Sequence, residues 1–341
     1  MPIPTAAAPD HVAVSACLLD AEGKVLAADG ADRPYYAAST IKLHVLLAAL
    51  QAADTGVLDL DERVPATDTF TGADGALFTL GGDHLDSTHP ADGDPVSIRE
   101  LLTRMIDRSS NEATDHLIEL IGLDAVGEAI TELGLTSTRV ERMIGDASAL
   151  AAGATNETSA ADLARTMRAL VRTSCPPSAP TSSAQASSAQ ASSAPTSSAQ
   201  ASSAQASSAQ ASSAPTSNAP TSNANTSGAP IPHGGLAPHS GPSTHSDLAP
   251  EAGLSARSVD LARTALRAQQ IPVIARALRE GVPWGSKSGW VDGYRHDVAF
   301  LGDPDAADVR YLAVMTSGLD PEAADEEIAR RVRALVADVA A

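Results

Sequence analysis

Aromatic residues make up 3% of this 341-residue chain against 43% hydrophobic residues, so any core must be packed from Ala, Val, Leu and Ile. Cysteine is scarcer still. Cys175 stands at the start of a low-complexity tract, so no structural disulfide with Cys17 is expected, and no Cys-x-x-Cys or Cys/His cluster exists. The nine histidines include no His-Glu-x-x-His pair and no closely spaced trio, so neither a metal nor a cofactor is expected. No run of 18 apolar residues occurs, which excludes a transmembrane helix of ordinary length. Residues 1–10 lack a basic-then-apolar export pattern, and read literally the chain is cytoplasmic. Positive charge is also short. With 23 basic and 42 acidic residues the net charge is −19, which repels phosphate backbones and anionic lipid surfaces.

Lysine is the most informative scarcity. Only Lys24, Lys42 and Lys287 occur, and every other basic residue is arginine. A coding bias toward arginine explains the replacement. The survivors then mark places where arginine cannot serve, because lysine can lose its proton and act as a base whereas arginine effectively cannot.

Between Thr173 and Ser246 there is no Asp, Glu, Lys or Arg, and the tract repeats Ser-Ser-Ala-Gln-Ala and Ala-Pro-Thr-Ser units. Such a composition has little to bury against the entropy of ordering, so 173–252 reads as a disordered insertion. What remains forms two blocks. Val12, Val14, Ala16 and Leu18 alternate as a strand, turn at Ala21-Glu22-Gly23 and return through Lys24–Ala27. A helix apolar nearly all round follows Ser39, with Gly56 as its stop. Ser97 to Glu100 reads as a capping box, Asn111–Ile121 as a helix closed by Gly122, and Ser159 as the cap of a helix running to about Val171. Helices are expected from about Ser255 to Arg279. Strands follow at Gly285–Trp290, His296–Leu301 and Val309–Thr316, then a last helix at Pro321–Val339. That order predicts an α/β (α+β) architecture: an antiparallel sheet from both chain ends (1–58 and 253–341) and an inserted helical subdomain (59–172).

Three short motifs carry chemistry. In Ser39-Thr40-Ile41-Lys42 the hydroxyl and the amine fall on one helical face, near the positive end of the dipole, which disfavours the ammonium form. A neutral lysine beside a serine is an activated-nucleophile arrangement; an N-cap serine with a snorkelling lysine has the same spelling. Ser109-Ser110-Asn111 lies between two helical stretches, either as a turn aimed into a cleft or as a helix cap. Lys287-Ser288-Gly289 lies on a strand flanked by Trp284 and Trp290, where glycine admits a ligand close to the backbone and lysine either holds a carboxylate or guards an edge.

Taken together, the order and spacing of these motifs resemble the class A β-lactamase family and its penicillin-binding relatives, with their Ser-x-x-Lys, Ser-Asp-Asn and Lys-Thr-Gly set. The resemblance covers nearly the whole chain outside 173 to about 250, and it implies a β-lactamase/transpeptidase-like fold. It also implies roles. Ser39 attacks an amide or lactam carbonyl, Lys42 takes its proton, and Ser109 passes that proton to the leaving nitrogen. Asn111 binds the substrate side-chain amide, Lys287 with Ser288 binds its carboxylate, and the N–H groups of Ser39 and Trp290, beside Gly289, form the oxyanion hole. The implied partner is a small molecule, a β-lactam or D-Ala peptide-like compound, met by a monomer. Arg295 either assists Lys287 or only fixes a strand edge, and His44 reads as a packed core histidine.

The sequence departs from the family's pattern in two places. Ser110 replaces the aspartate of the second motif, which puts the stability of that loop in doubt. Residues Thr138–Arg142 resemble the entry to the family's Ω-loop, where class A enzymes place a water-activating glutamate two residues past the second arginine; here that position is Ile144. The aspartate that normally pairs with the loop arginine is matched by Asn156, and the Gly- and Ala-rich stretch 143–156 reads as mobile. Asp146, with Glu141 and Glu157 as further candidates, is then the nearest acid for releasing an acyl-enzyme, although all three also fit solvated loop charge.

Overall fold

A computed structural model describes residues 11–82, 85–172 and 253–341. The chain begins with strands β1 (Ala13–Leu19), β2 (Val25–Asp29) and β3 (Tyr35–Tyr36), then helix α1 (Lys42–Asp54). Four short strands follow: β4 (Arg63–Pro65), β5 (Thr69–Thr71), β6 (Leu77–Thr79) and β7 (Pro95–Ser97). Next come α2 (Ile98–Asp107), α3 (Asn111–Ile121), α4 (Leu123–Glu132), β8 (Arg139–Val140), α5 (Ala147–Ala151), β9 (Asn156–Thr158) and α6 (Ala160–Val171). The C-terminal part holds α7 (Ala256–Arg267), β10 (Trp284–Val291), β11 (Tyr294–Leu301), β12 (Arg310–Ser317) and α8 (Pro321–Leu335). The expectation of a disordered tract at 173–252 falls outside the described residues.

The main sheet runs β10-β11-β12-β1-β2, antiparallel throughout. Its centre joins the two chain ends, with Ala13 opposite Ser317 and Leu19 opposite Tyr311. Side chains alternate across the sheet. Cys17 and Leu19 face one core with Val298, Phe300 and α6, while Ala16 and Leu18 face a second core with Ala299, Val314 and the Ile328 and Val332 stripe of α8. Helix α1 lies inside the larger core, where Leu43, Val45, Leu46, Leu47 and Leu50 are buried on all sides. At about 1.5–3 kcal/mol for each buried aliphatic side chain, this helix anchors the residues at its N-terminus.

The expected antiparallel sheet from both chain ends is therefore observed, and so are the strands and helices that flank the motifs. Two expectations change. The helical stretch after Ser255 ends at Arg267, and a single 3₁₀ turn at Ile274–Ala277 follows. Pro272 accounts for the break, since the residue before a proline is pushed out of the α region. The stretch 59–172 is helical but also carries the β4/β7 and β5/β6 pairs and an extra helix, α4. No helix among the described residues is long and apolar enough to cross a membrane.

Candidate active site

Ser39 sits in a 3₁₀ turn, Ala38–Ile41, that runs directly into α1. The carbonyl of Ala37 pins the turn by accepting the Thr40 N–H at 3.2 Å and the Thr40 hydroxyl at 2.6 Å. Ala38, immediately before the serine, has φ of +48°, a left-handed conformation that costs a non-glycine residue energy. The turn is half-buried at Ser39, and strand β10 presses against it. A Cβ on Gly289 would stand 2.8 Å from the backbone nitrogens of both Ser39 and Thr40, so only glycine allows this approach.

His296, which sequence reasoning passed over, holds the same turn from β11. Its Nδ1 accepts the Thr316 N–H at 3.3 Å, so Nε2 carries the proton and donates to the carbonyl of Tyr36 at 2.9 Å. Burial pushes its pKa down to about 4, which keeps the ring neutral. The signal in the sequence was its position, seven residues past Gly289 and directly across the hairpin from it.

Lys42, in the first turn of α1, is fully buried. Its amine meets the carbonyl of Ser109 at 2.5 Å, Oδ1 of Asn111 at 2.8 Å and the hydroxyl of Ser109 at 3.3 Å. Lys287, also fully buried, reaches the same Ser109 hydroxyl from β10 at 3.0 Å and the carbonyl of Ser288 at 2.6 Å. Ser109 thus bridges the two lysines. It does so from φ of +60°, a conformation that turns its carbonyl and hydroxyl together toward the cleft. The expected Ser39–Lys42 contact takes a different form: the amine is turned to Ser109 and Asn111, Lys42 meets Ser39 through its backbone N–H on the Ser39 carbonyl, and the Ser39 hydroxyl has no side-chain partner among the described residues. Such contacts commonly tighten only when substrate is bound.

Two ammonium groups around one hydroxyl cannot both stay charged cheaply. Burial, and then the positive charge of Lys287, hold Lys42 well below the usual lysine pKa. Burial lowers Lys287 to about 7 against the opposing charge of Asp297.

The second motif keeps its shape without the aspartate. The Ser110 hydroxyl accepts the Ala113 N–H at 3.1 Å as the N-cap of α3 and donates to Glu112 at 2.8 Å. The stability that Ser110 put in doubt is supplied by this capping pair.

Several expected roles change. Ser288 holds Lys287 through its backbone carbonyl and not through its hydroxyl: neighbouring strand side chains point to opposite faces, and the hydroxyl donates to the carbonyl of Ile271 at 2.7 Å. Arg295 lies on that same far face, over the Trp290 ring at 5.9 Å, with its guanidinium paired bidentately to Asp325 of α8. It fixes the strand to the helix and does not reach Lys287. Asp146 is a structural carboxylate. One oxygen accepts the N–H groups of Ser148 and Ala149, both at 3.0 Å, as the cap of α5, and the other accepts the Ala73 N–H at 2.9 Å. These bonds hold its pKa below the usual carboxylate range, which is wrong for a base recovering a proton. Glu141 accepts the Thr155 N–H at 2.9 Å, and Glu157 pairs with Arg139 at 2.5 Å.

The stretch expected to be mobile is accordingly cross-linked. Asn156 binds the backbone of Arg142 on both sides, accepting its N–H at 3.3 Å and donating to its carbonyl at 3.0 Å. The Arg142 guanidinium goes to the Tyr36 hydroxyl at 3.1 Å. Ile144 lies at the loop's inner side and gives its N–H to Asp115 at 2.8 Å. Asp115 is a second residue missed in the sequence. It is wholly buried on α3, and its other oxygen has no partner among the described residues.

The sequence matches the Beta-lactamase enzyme family over residues 5–184 and 243–340, most of its length. The chain belongs to that family. Solved members and relatives share the fold at low identity. A β-lactamase from Sphaerobacter thermophilus is 23% identical, with a TM-score of 0.60 over 96% of this chain and 92% of that one. A β-lactamase from Xanthomonas campestris is 19% identical, with a TM-score of 0.60 over 95% and 92%. A variant of the penicillin-binding protein PBP-A, solved as its acyl-enzyme complex with penicillin G, is 19% identical, with a TM-score of 0.59 over 96% and 90%. No curated protein matches the chain. Within this β-lactamase-family fold, the three motifs converge on Ser109, where all the described lysines except Lys24 meet.

Proposed function

We propose that this protein is a serine hydrolase that forms an acyl-enzyme on Ser39 with a β-lactam or a related amide. The observation that carries the reading is the buried Lys42–Ser109–Lys287 chain beside a half-buried serine. Lys42, whose pKa burial and the charge of Lys287 lower, takes the Ser39 proton as Oγ bonds to the carbonyl carbon. In this reading the developing oxyanion is met by the backbone N–H groups of Ser39 and Trp290, which belong to the two segments that approach closely at Gly289. Donors of this kind contribute about 3–4 kcal/mol each in other hydrolases. Ser109 then passes a proton to the departing nitrogen and draws another from Lys42. Lys287, with a pKa of about 7, is charged enough to hold a substrate carboxylate.

Release of the acyl group is the weaker half. With Ile144 at the position of the family's glutamate and Asp146 committed to the α5 cap, neither of these two loop positions offers a carboxylate free to activate water. This favours a slow hydrolase, and it keeps a second reading in view, a penicillin-binding or D-alanyl-D-alanine peptidase-like protein that holds its acyl group. Incubation with a chromogenic cephalosporin, followed by intact mass, separates the two. Colour that grows steadily and vanishes in Ser39→Ala supports turnover, whereas a lasting adduct on Ser39 supports the stalled form. Neither signal, across several lactams and D-Ala peptides, would end the lactam-directed reading.

A further inference from the structure

Ile144 removes the family's acid, yet a carboxylate lies just behind it. Asp115 is four residues past Asn111 on α3, so the two side chains share one helical face. Asn111 on that face binds the Lys42 amine at 2.8 Å. Asp115 is completely buried; Oδ1 accepts the Ile144 N–H at 2.8 Å, and Oδ2 has no partner among the described residues. A buried carboxyl with an unused oxygen is costly, and no helix cap or ion pair accounts for it.

We infer that Asp115 is a positioning residue for Lys42, supplying the negative charge that stabilises the ammonium Lys42 becomes when it accepts a proton. This rests on the reading of Ser39 and Lys42 as nucleophile and base, and it extends that reading to deacylation. In that half-reaction a water oxygen bonds to the acyl carbon while its proton passes to Lys42. The bond from carbon to Ser39 Oγ then breaks, and Oγ recovers a proton from Lys42. One lysine serves both halves, with Asp115 balancing its charge each time. The charged groups facing Lys42 are Lys287 from β10 and Glu112 and Asp115 from α3. Those facing Asp115 are Lys42, Arg142 and Asp146. Burial raises the Asp115 pKa well above the usual range while the charge of Lys42 draws it down, so the protonation of each group depends on the charge of the other and the pair titrates as a coupled unit.

The scarcity of lysine makes a direct test practical. Protein labelled with ¹³C at lysine Cε gives signals from three lysines only, and Lys42→Ala assigns the relevant one. In Asp115→Asn the side-chain amide oxygen still accepts from Ile144, so the loop clamp is preserved. The Lys42 midpoint is expected to fall by about one unit or more, as for any amine losing an opposite charge nearby. The acid limb of the acylation profile moves with it, and deacylation slows at least tenfold. Asp115→Glu should restore the midpoint. Should Asp115→Asn fail to fold, the wild type alone decides: the Lys42 curve must inflect again where the Asp115 Cγ signal titrates. An unmoved midpoint, or a single inflection, overturns the inference. Because this readout needs no substrate, it stands apart from a failure to acylate Ser39, which would overturn the functional reading instead.

Discussion

At the scale of single residues the proposed reaction depends on lysine being able to shed its proton. Arginine at position 42 would keep its charge at every accessible pH. Lys42→Arg is therefore expected to acylate as poorly as Lys42→Ala, about 10²–10⁴-fold slower than wild type, which is the usual worth of a positioned general base. Time-resolved intact mass measures both. Arginine retaining most of the rate would show that charge, not proton transfer, is what position 42 supplies. Lys287 makes the complementary case. Its pKa of about 7 leaves it partly neutral above pH 7 in the free protein, and a bound carboxylate favours its charged form. Binding of a carboxylate-bearing ligand at pH 8 should therefore take up a proton, and the ligand should bind more weakly as pH rises past 7. Calorimetry in buffers of different ionisation enthalpy reads the uptake. A proton count near zero at pH 8 would place the carboxylate elsewhere.

At the scale of elements, the site exists because β10 and the start of α1 touch. Gly289→Ala tests that contact, since the new methyl would meet two backbone nitrogens at 2.8 Å, and backbone cannot swing aside as a side chain can. The strand would have to retreat, separating the Trp290 N–H from the Ser39 N–H. Acylation should fall by about 10²–10³-fold, the scale of one lost oxyanion donor. Stability should fall by about 1–3 kcal/mol, as for an overpacked core, which a thermal melt reports. Full acylation activity in this variant would remove Trp290 from the oxyanion hole. These elements were legible because each has a strong local signature: period-2 strands, an all-apolar central helix, capped helix starts, and motif residues at their ends. What the sequence hid was of two kinds. Strands of two or three residues such as β8 have no period to detect, and α4 was masked because Gly122 reads as a stop and not also as the start of the next helix. The direction of a committed side chain was hidden too. Asp146 and Arg295 have the chemistry of site residues, but their partners, the Ala73 N–H and Asp325, lie 73 and 30 residues away in sequence. Asp115 was hidden by the opposite effect, since a carboxylate in Asn-Glu-Ala-Thr-Asp-His looks like solvated helix surface. Only its four-residue spacing from Asn111 marks it.

At the scale of the whole molecule, burial of groups that must stay neutral sets how the fold responds to acid. His44 and His296 are both fully buried, and burial pushes each to a pKa of about 4. His44, on the central helix, has no side-chain partner for either ring nitrogen among the described residues, and His296 spends its one proton on Tyr36. In the unfolded chain both titrate at the ordinary histidine value of about 6.5. Between these limits the unfolded state binds more protons than the folded one, so stability is retained above pH 6.5 and lost as pH falls toward 4. The loss amounts to roughly 2–4 kcal/mol for each histidine, a large part of the stability of an ordinary domain. Denaturant melts across pH 4–7 should show the unfolding free energy falling through this window. In His44→Leu, where an apolar side chain replaces the ring, about half of the slope should disappear with little cost at pH 7. An unchanged slope would mean that His44 carries its proton inside the fold, and with it a buried anionic partner.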